Sequence, residues 1–89
     1  MCRNIKPLFN FDPPATEADL EAATRQFVRK ITGMTKPSIS NADAFEQAIT
    51  EITRTCEQLF ASLETSATPR NRQDWEAAHR TRSAARFTR

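Results

Sequence analysis

The sequence predicts an all-α fold, a small helical domain built around an antiparallel helix hairpin with a short C-terminal helix. The 89 residues include one glycine and no tyrosine, and the β-branched residues are scattered, which disfavours a sheet-rich fold. Two long segments place apolar residues at helical spacing, and a loop stiffened by Pro37 separates them. A chain of this length has room for one domain with a small core, so a second copy or another partner would add stability.

Residues 1–15 form a lead-in to the hairpin. Leu8, Phe9 and Phe11 are apolar and are expected to pack across the helical body. Two consecutive prolines at positions 13 and 14 favour an extended backbone, because each proline disfavours helix at the residue before it.

The first main helix is predicted from Thr16 to Thr32. Thr16 is a good N-cap, and Gly33 stands where a left-handed residue commonly ends a helix. A stripe of apolar residues, widened by Val28, is expected to face the core and consists of Leu20, Ala23, Phe27 and Ile31.

The second main helix is predicted from Asn41 to Thr65, with Ser40 or Asn41 as its N-cap. Its apolar residues form a heptad-like seam, which consists of Phe45, Ile49, Ile52, Cys56, Leu59 and Leu63. We interpret the seam as the core-facing stripe of the hairpin; the alternative is that part of it serves as a dimer or partner surface. Phe60 lies off the seam and is the residue expected to make an external contact.

The C-terminal segment differs from the rest of the chain in charge. Residues 66–89 carry six arginines against two acids, a net charge of +4, whereas residues 1–65 carry seven Lys/Arg against nine Asp/Glu, a net charge of −2. Asn71 or a neighbouring residue is expected to cap a third helix that runs to Arg86 and docks on the hairpin through Trp75. We therefore predict a hairpin domain with its lead-in over residues 1–65, and a basic helical segment over residues 66–89 that is packed on it or partly frayed.

Short runs along nearly the whole chain carry a family resemblance, namely residues 1–6, 8–11, 13–16, 28–30 and 35–38. With these runs the chain resembles a family of short bacterial proteins that begin Met-Cys-Arg-Asn-Ile, known as domain of unknown function 2277. That family has no assigned activity, so the resemblance implies membership and no mechanism.

A second resemblance covers residues 8–60. The runs 9–11, 15–20 and 23–25, with Lys30 behind them, are followed at matching intervals by Ile49, Ile52, Thr55, Cys56 and Leu59. In these positions the chain is similar to the J-domain of Hsp70 co-chaperones, which implies a J-domain-like hairpin. The His-Pro-Asp tripeptide that J-domains use on Hsp70 would fall at residues 32–34, which read Thr-Gly-Met. Stimulation of the Hsp70 ATPase is therefore not expected.

The sequence contains no recognisable catalytic constellation. His79 is the single histidine, no CxxC or HxxxH spacing occurs, and no glycine-rich phosphate loop is present, so we expect no metal, no cofactor and no enzyme activity. Cys56 on the seam is expected to be a small buried hydrophobic residue. Cys2 is the candidate reactive thiol, because removal of Met1 would place its amine beside its thiol and Arg3 would favour the thiolate. The alternative is a terminal cysteine without a chemical role.

Two groups of basic residues are candidate binding surfaces. On the first helix, Arg25, Arg29 and Lys30 are candidates for contact with an acidic partner. In the C-terminal segment the candidates for binding a partner or an anion, including the phosphates of nucleic acid, are Arg70, Arg72, Arg80, Arg82 and Arg86. The segment lacks the interleaved aromatic residues that stack on bases, and a solvated helix face is the alternative for both groups.

These observations together predict a non-enzymatic protein-interaction module of the bacterial cytoplasm, with an unknown protein partner or a second copy of the chain. No apolar run is long enough to span a membrane, and the first residues lack the apolar stretch of a secretory signal. The alternatives are nucleic-acid or ribonucleoprotein association through the Arg-rich C-terminal segment, and thiol chemistry at Cys2.

Overall fold

The computed structural model describes residues 5–87 of the chain, and for residues 81–87 it describes the backbone alone. Within this range the chain forms three helices and two short strands, in the order β1 (Phe11–Asp12), α1 (Glu17–Thr32), α2 (Ile39–Ser62), β2 (Arg70–Asn71) and α3 (Arg72–Phe87). Helices α1 and α2 pack against each other as a hairpin, and α3 follows as a separate C-terminal helix. The predicted all-α class and the hairpin are confirmed, and the short strands are an addition to them.

Helix α1 begins and ends where the sequence predicts. The Thr16 side chain accepts a hydrogen bond from the Asp19 backbone N–H at 3.2 Å, and the Asp19 carboxylate accepts one from the Thr16 N–H at 2.9 Å. This capping box satisfies donors that the first turn of a helix leaves unpaired. Gly33 adopts a left-handed conformation with φ of 73°, and its N–H donates to the carbonyl oxygen of Arg29.

The buried face of α1 differs from the predicted stripe. Leu20, Thr24 and Val28 are buried, whereas Phe27 is 45% exposed and Ile31 is 66% exposed. Thr24 is tolerated in the core because its hydroxyl donates to the carbonyl oxygen of Leu20 at 2.9 Å. The prediction that Phe27 and Ile31 face the core is therefore wrong, since a neighbouring row of α1 packs on α2.

The hydrophobic core between the helices is small and consists of Val28, Phe45 and Ile49, with Ile52 packed against it. The predicted seam of α2 is thus a core stripe in its first half. Leu59 and Leu63 are 51% and 43% exposed, so the interpretation of the whole seam as core is wrong for its second half. The physical reason is length, because α2 has 24 residues and α1 has 16, which leaves the end of α2 without a facing helix.

Both ends of α2 lie earlier than predicted. The helix spans Ile39–Ser62, with Ser38 as its N-cap and Leu63 as its C-cap. The N–H of Asn41 donates to the carbonyl oxygen of Ser38, so the helical pattern is established before the predicted start. At the other end Leu63 has an extended conformation, with φ of −71° and ψ of 139°, which stops the helix short of Thr65.

The lead-in packs across the body, as the sequence predicts. Leu8 and Phe11 are buried, and the ring of Phe9 meets that of Phe60 edge-on at 5.6 Å between centroids. Phe60 is therefore half-buried against the lead-in, and an external contact through its remaining exposed surface stays a prediction. The sequence could not show this, because the partner ring lies on a distant segment.

Strand β1 pairs in parallel with β2 and connects the lead-in to the C-terminal segment. Phe11 is in register with Arg70, and the Arg70 N–H donates to the carbonyl oxygen of Asn10 at 3.0 Å. Asn10 itself has a left-handed φ of 63°, a conformation that asparagine tolerates better than most residues.

Helix α3 starts directly after this strand. Its first turn is capped by the Asn71 side chain, which accepts from the Asp74 N–H at 2.9 Å, so the predicted cap is confirmed. Trp75 packs edge-on against Phe11 at 5.8 Å. The sequence predicts that Trp75 docks α3 on the hairpin, whereas the ring contact that the structure shows is with Phe11 of the lead-in. The division into residues 1–65 and residues 66–89 stays a prediction.

The molecule is flat and open. Its principal extents are 43 × 41 × 16 Å and its radius of gyration is 15.5 Å. A compact chain of this length would have a radius of gyration of about 12 Å. Long stretches of the two hairpin helices are consequently accessible to a partner. Among the described residues, no helix combines the length and the apolar content needed to cross a bilayer.

Candidate functional site

The first predicted surface is the basic group on α1, and the structure divides it. Arg25 makes a two-pronged contact with the Glu46 carboxylate of α2, at 2.6 and 2.8 Å, and donates to Glu21 of its own helix at 3.1 Å. The hydrogen bond from Arg25 holds the pKa of Glu46 below its usual value, and these carboxylates raise the pKa of Arg25. Arg25 therefore joins the two helices.

Arg29 and Lys30, in the last turn of α1, have exposed side chains. Neither forms an ion pair with another residue of the described range. Of the three basic candidates on this helix, these two are the ones that stay available to an acidic partner.

The arginines of the C-terminal segment are also divided. The Arg70 guanidinium lies 4.5 Å from the centroid of the Phe11 ring, as in a cation–π contact. Arg72 forms ion pairs with Asp19 of α1 at 3.0 Å and with Glu76 of α3 at 3.3 Å. The hydrogen bond from Arg72 is the main cause that lowers the pKa of Asp19, and Asp19 in turn raises the pKa of Arg72. Both arginines therefore stabilise the fold.

The other predicted site residues are not brought together by the described part of the chain. Arg80 is exposed on α3, while the side chains of Arg82 and Arg86, and Cys2 as a whole, lie outside the described residues. Nucleic-acid association through the Arg-rich segment and thiol chemistry at Cys2 therefore stay predictions. Cys56 is half-buried on α2 and unbridged, a little less enclosed than predicted.

His79 stacks on Trp75, with the rings 4.9 Å apart and 8° from parallel. Across the described part of the chain, no group of three or more His, Cys, Asp or Glu side chains converges as the ligands of a metal ion would.

An open groove of about 230 Å³ runs between the C-terminal half of α1 and the N-terminal half of α2. We call it the apolar groove, and it is lined by Val28, Thr32, Met34, Asn41, Ala44, Phe45 and Ala48. Phe45 and Val28 form its buried floor, and small alanines on α2 keep it open. The groove offers apolar contact area beside the loop that joins the two helices.

Phe27 and Ile31 lie on the same half of α1 as the groove-lining residues Val28 and Thr32, outside the lining itself. Phe27 precedes Val28, and Ile31 lies three residues after Val28 and three before Met34, which places it on the neighbouring helix surface. Both side chains are substantially exposed, and Met34 is 39% exposed. Two residues that the sequence assigned to the core thus add exposed apolar surface to this half of α1.

A second opening has a different chemistry. This polar cleft of about 130 Å³ lies between the N-terminal half of α1 and the middle of α2, and is lined by Glu17, Glu21, Ile49, Thr50, Thr53, Arg54 and Glu57. Ile49 and Thr53 are 1% and 5% exposed and form its floor, and the charged residues form its rim. Sequence reasoning missed this cleft, because it treated the acids of both helices as separate surface residues.

The helical hairpin and its two openings define a small all-α protein with candidate binding surfaces. The chain belongs to the family described as uncharacterized conserved protein, DUF2277, whose family model matches residues 1–78. No curated protein and no solved structure matches the chain. The predicted family membership is confirmed, and the J-domain resemblance stays a prediction.

Proposed function

We propose that the protein is a non-enzymatic interaction module of the bacterial cytoplasm, which binds an amphipathic helix with acidic flanks in its apolar groove. The observation that carries this proposal is the open, mostly apolar groove, with the exposed side chains of Phe27 and Ile31 on the same half of α1. Apolar surface of this kind, gathered at one end of a small domain, is typical of sites where a partner binds.

The geometry of the groove favours a helical partner. Two antiparallel helices form its walls, and a third helix that laid apolar residues into the groove would cover Val28 and Phe45 together with Phe27. Helix-in-groove recognition uses apolar anchors at spacings of three and four residues in this way. The small core of the hairpin, centred on Val28, Phe45 and Ile49, would gain a second layer from such a partner.

The charges at this end of the hairpin favour acidic flanks on that partner. Arg29, Lys30 and Lys36 are exposed at this end of the hairpin, against one exposed and unpaired carboxylate at Asp43. The nearby Glu46 is engaged by Arg25 and adds little free negative charge. A net positive charge at this end of the hairpin attracts an acidic helix and speeds its association at low salt.

A pair of synthetic peptides tests the proposal. Both form amphipathic helices with leucines on one face, and one carries glutamates and the other lysines beside that face. We expect the full chain to bind the glutamate peptide about tenfold more tightly than the lysine peptide, measured by fluorescence anisotropy, with the difference shrinking as salt is raised.

Two substitutions, at apolar side chains of similar exposed fraction, test whether the peptide binds in the apolar groove. Phe27 is 45% exposed and Leu63 is 43% exposed, but Leu63 lies at the far end of α2. Phe27→Ser should weaken binding of the glutamate peptide about tenfold, because it removes apolar contact area, and Leu63→Ser should leave binding unchanged. Equal binding of the two peptides, or equal effects of the two substitutions, would contradict the proposal.

A further inference from the structure

The polar cleft contains a buried hydroxyl with no hydrogen-bond partner. Thr53 is 5% exposed, and its Oγ1 is the buried side-chain atom of the described chain that finds neither a donor nor an acceptor. Thr24, which is equally buried on the facing helix, donates instead to the carbonyl oxygen of Leu20. A buried hydroxyl without a partner costs free energy, so its place on the floor of an open cleft points to a ligand group.

The rim of the cleft is acidic. Glu17 and Glu21 lie one turn apart on α1, and Glu57 faces them from α2, while Arg54 is the one basic residue of the lining. Glu21 is partly engaged, since it accepts from Arg25 at 3.1 Å. Glu17 and Glu57 form no ion pair with any residue between positions 5 and 80, and their carboxylates are available.

These features together define the ligand chemistry. Carboxylates placed on both walls of the cleft suit a cation that donates in several directions, and a hydroxyl oxygen on its floor can accept one more hydrogen bond. A guanidinium has five N–H donors in a planar arrangement and is more weakly hydrated than an ammonium group. We propose that the polar cleft is a binding site for a guanidinium group, held by Glu17, Glu57 and Thr53.

Two sources could supply that group. The C-terminal segment of a second copy carries six arginines in residues 66–89, and its net charge of +4 is complementary to the net charge of −2 of residues 1–65. A separate arginine-containing ligand has the same chemistry. The site lies at a different place on the hairpin from the apolar groove, so this proposal does not depend on the proposed function.

The test uses N-acetyl-arginine amide and its uncharged isostere N-acetyl-citrulline amide, each titrated into the full chain and followed by NMR. The arginine probe should cause saturable shifts at the backbone amides of Glu17, Thr53 and Glu57. The citrulline probe, which has the same shape without the charge, should cause none at the same concentrations. Equal shifts with both probes would overturn the proposal.

Four substitutions test which residues form the site. Glu57→Gln should raise the Kd for the arginine probe about fivefold, as expected for loss of one exposed ion pair. Thr53→Val should weaken binding as well, and Thr53→Ser, which keeps the hydroxyl, should restore it. Glu64→Gln changes an acid outside the cleft and should have no effect. Unchanged affinity in both Glu57→Gln and Thr53→Val would overturn the proposal.

Sedimentation of the full chain, with and without the arginine probe, distinguishes the sources. A dimer that the probe dissociates supports the site and assigns the guanidinium to a second copy. A monomer that still binds the probe with the pattern above supports the site and assigns the group to a separate ligand.

Discussion

Single polar side chains join the elements of this protein as much as its apolar residues do. Asp19 accepts from the Thr16 backbone N–H, and the same carboxylate forms an ion pair with Arg72 of α3. One residue thus caps α1 and also ties the C-terminal helix to it. Arg25 joins α1 to α2 in a similar way, through its ion pair with Glu46.

The free energy of unfolding should depend on pH through the lowered pKa of Asp19. Its pKa lies below the ordinary value of 3.8, because Arg72 and the Thr16 backbone N–H both donate to the carboxylate. A carboxylate with a lowered pKa in the folded chain contributes stability above its unfolded pKa, and this contribution is lost as the pH falls through the folded pKa. The free energy of unfolding should therefore fall below about pH 4, and fall less steeply in Asp19→Asn.

Urea unfolding at several pH values measures this effect. Asp19→Asn should also lose about 1 kcal/mol near neutral pH, because the capping box is weakened. Arg72→Gln removes the main cause of the lowered pKa and should reduce the acid dependence in the same direction. An Asp19→Asn variant with the full acid dependence of the unmodified chain would show that another group is responsible.

Two equally buried threonines allow a comparison between a hydroxyl with a hydrogen-bond partner and a hydroxyl without one. Thr24 and Thr53 are each 5% exposed, and only the hydroxyl of Thr24 has a partner within the described structure. Thr53→Val should raise the free energy of unfolding by about 1 kcal/mol, because it removes a buried group without a hydrogen bond. Thr24→Val should not stabilise the chain, since it removes a hydroxyl that is paired. Urea unfolding of both variants checks this, and equal effects would contradict it.

The boundaries of α1 could be predicted from the sequence because they depend on local chemistry. The capping box at Thr16 and the left-handed conformation at Gly33 are each specified by residues adjacent in the chain. The start of α2 is different, because Ser38, Ser40 and Asn41 are all suitable caps. Ser38 is the N-cap and forms no side-chain capping hydrogen bond, so residue type alone could not identify it.

The buried row of α1 could not be predicted from apolar periodicity. Two adjacent rows fit the helical spacing, one through Phe27 and Ile31 and one through Thr24 and Val28. Hydrophobicity favours the first row, but a threonine that bonds its own backbone is compatible with burial. The choice depends on how α2 packs, which one helix does not determine.

The end of α1 gives a test of backbone conformation. Gly33 has φ of 73°, and no atom lies within 4 Å of the place where a Cβ would stand. Gly33→Ala should therefore lower the free energy of unfolding by about 1 kcal/mol through backbone strain alone. Gly33→Asn should cost less, because asparagine tolerates the left-handed region. Thermal unfolding of both variants measures the difference, and equal losses would contradict the role of the left-handed conformation.

The whole molecule consists of a hairpin and a smaller assembly of the lead-in with α3. Phe11 is at the centre of that assembly, with Trp75 on one side and the Arg70 guanidinium over its ring. A small pocket of about 10 Å³ lies between these segments, and Phe11 and Trp75 are among the residues that line it.

Removal of Trp75 should separate the two parts. In Trp75→Ala, the backbone amides of α3 should exchange with solvent about tenfold faster or more, because the contact with Phe11 is lost. The amides of α1 and α2 should keep most of their protection. Ile39→Ser removes a side chain that is 98% exposed and serves as a control at an unpacked position, expected to leave exchange unchanged. Uniform loss of protection in Trp75→Ala would show that the chain unfolds as one unit.

The candidate surfaces arise only when the helices are paired. The apolar groove brings Val28 beside Phe45, and the polar cleft brings Glu17 near Glu57, which no spacing along one helix reveals. The sequence correctly indicated basic residues on α1, but it could not show that Arg25 is engaged by Glu46. Charge patterning identifies which groups are present, and the pairing of elements determines which of them are available.

The pairing of β1 with β2 has a consequence for the order of events during synthesis. The α1–α2 hairpin consists of contacts between neighbouring segments, so it can form as soon as α2 has left the ribosome. The contacts of Phe11 form later, because its partner Arg70 and the ring of Trp75 are translated after α2. Until then the lead-in has an exposed aromatic strand edge, so the nascent chain is most prone to aggregation in the interval before α3 emerges.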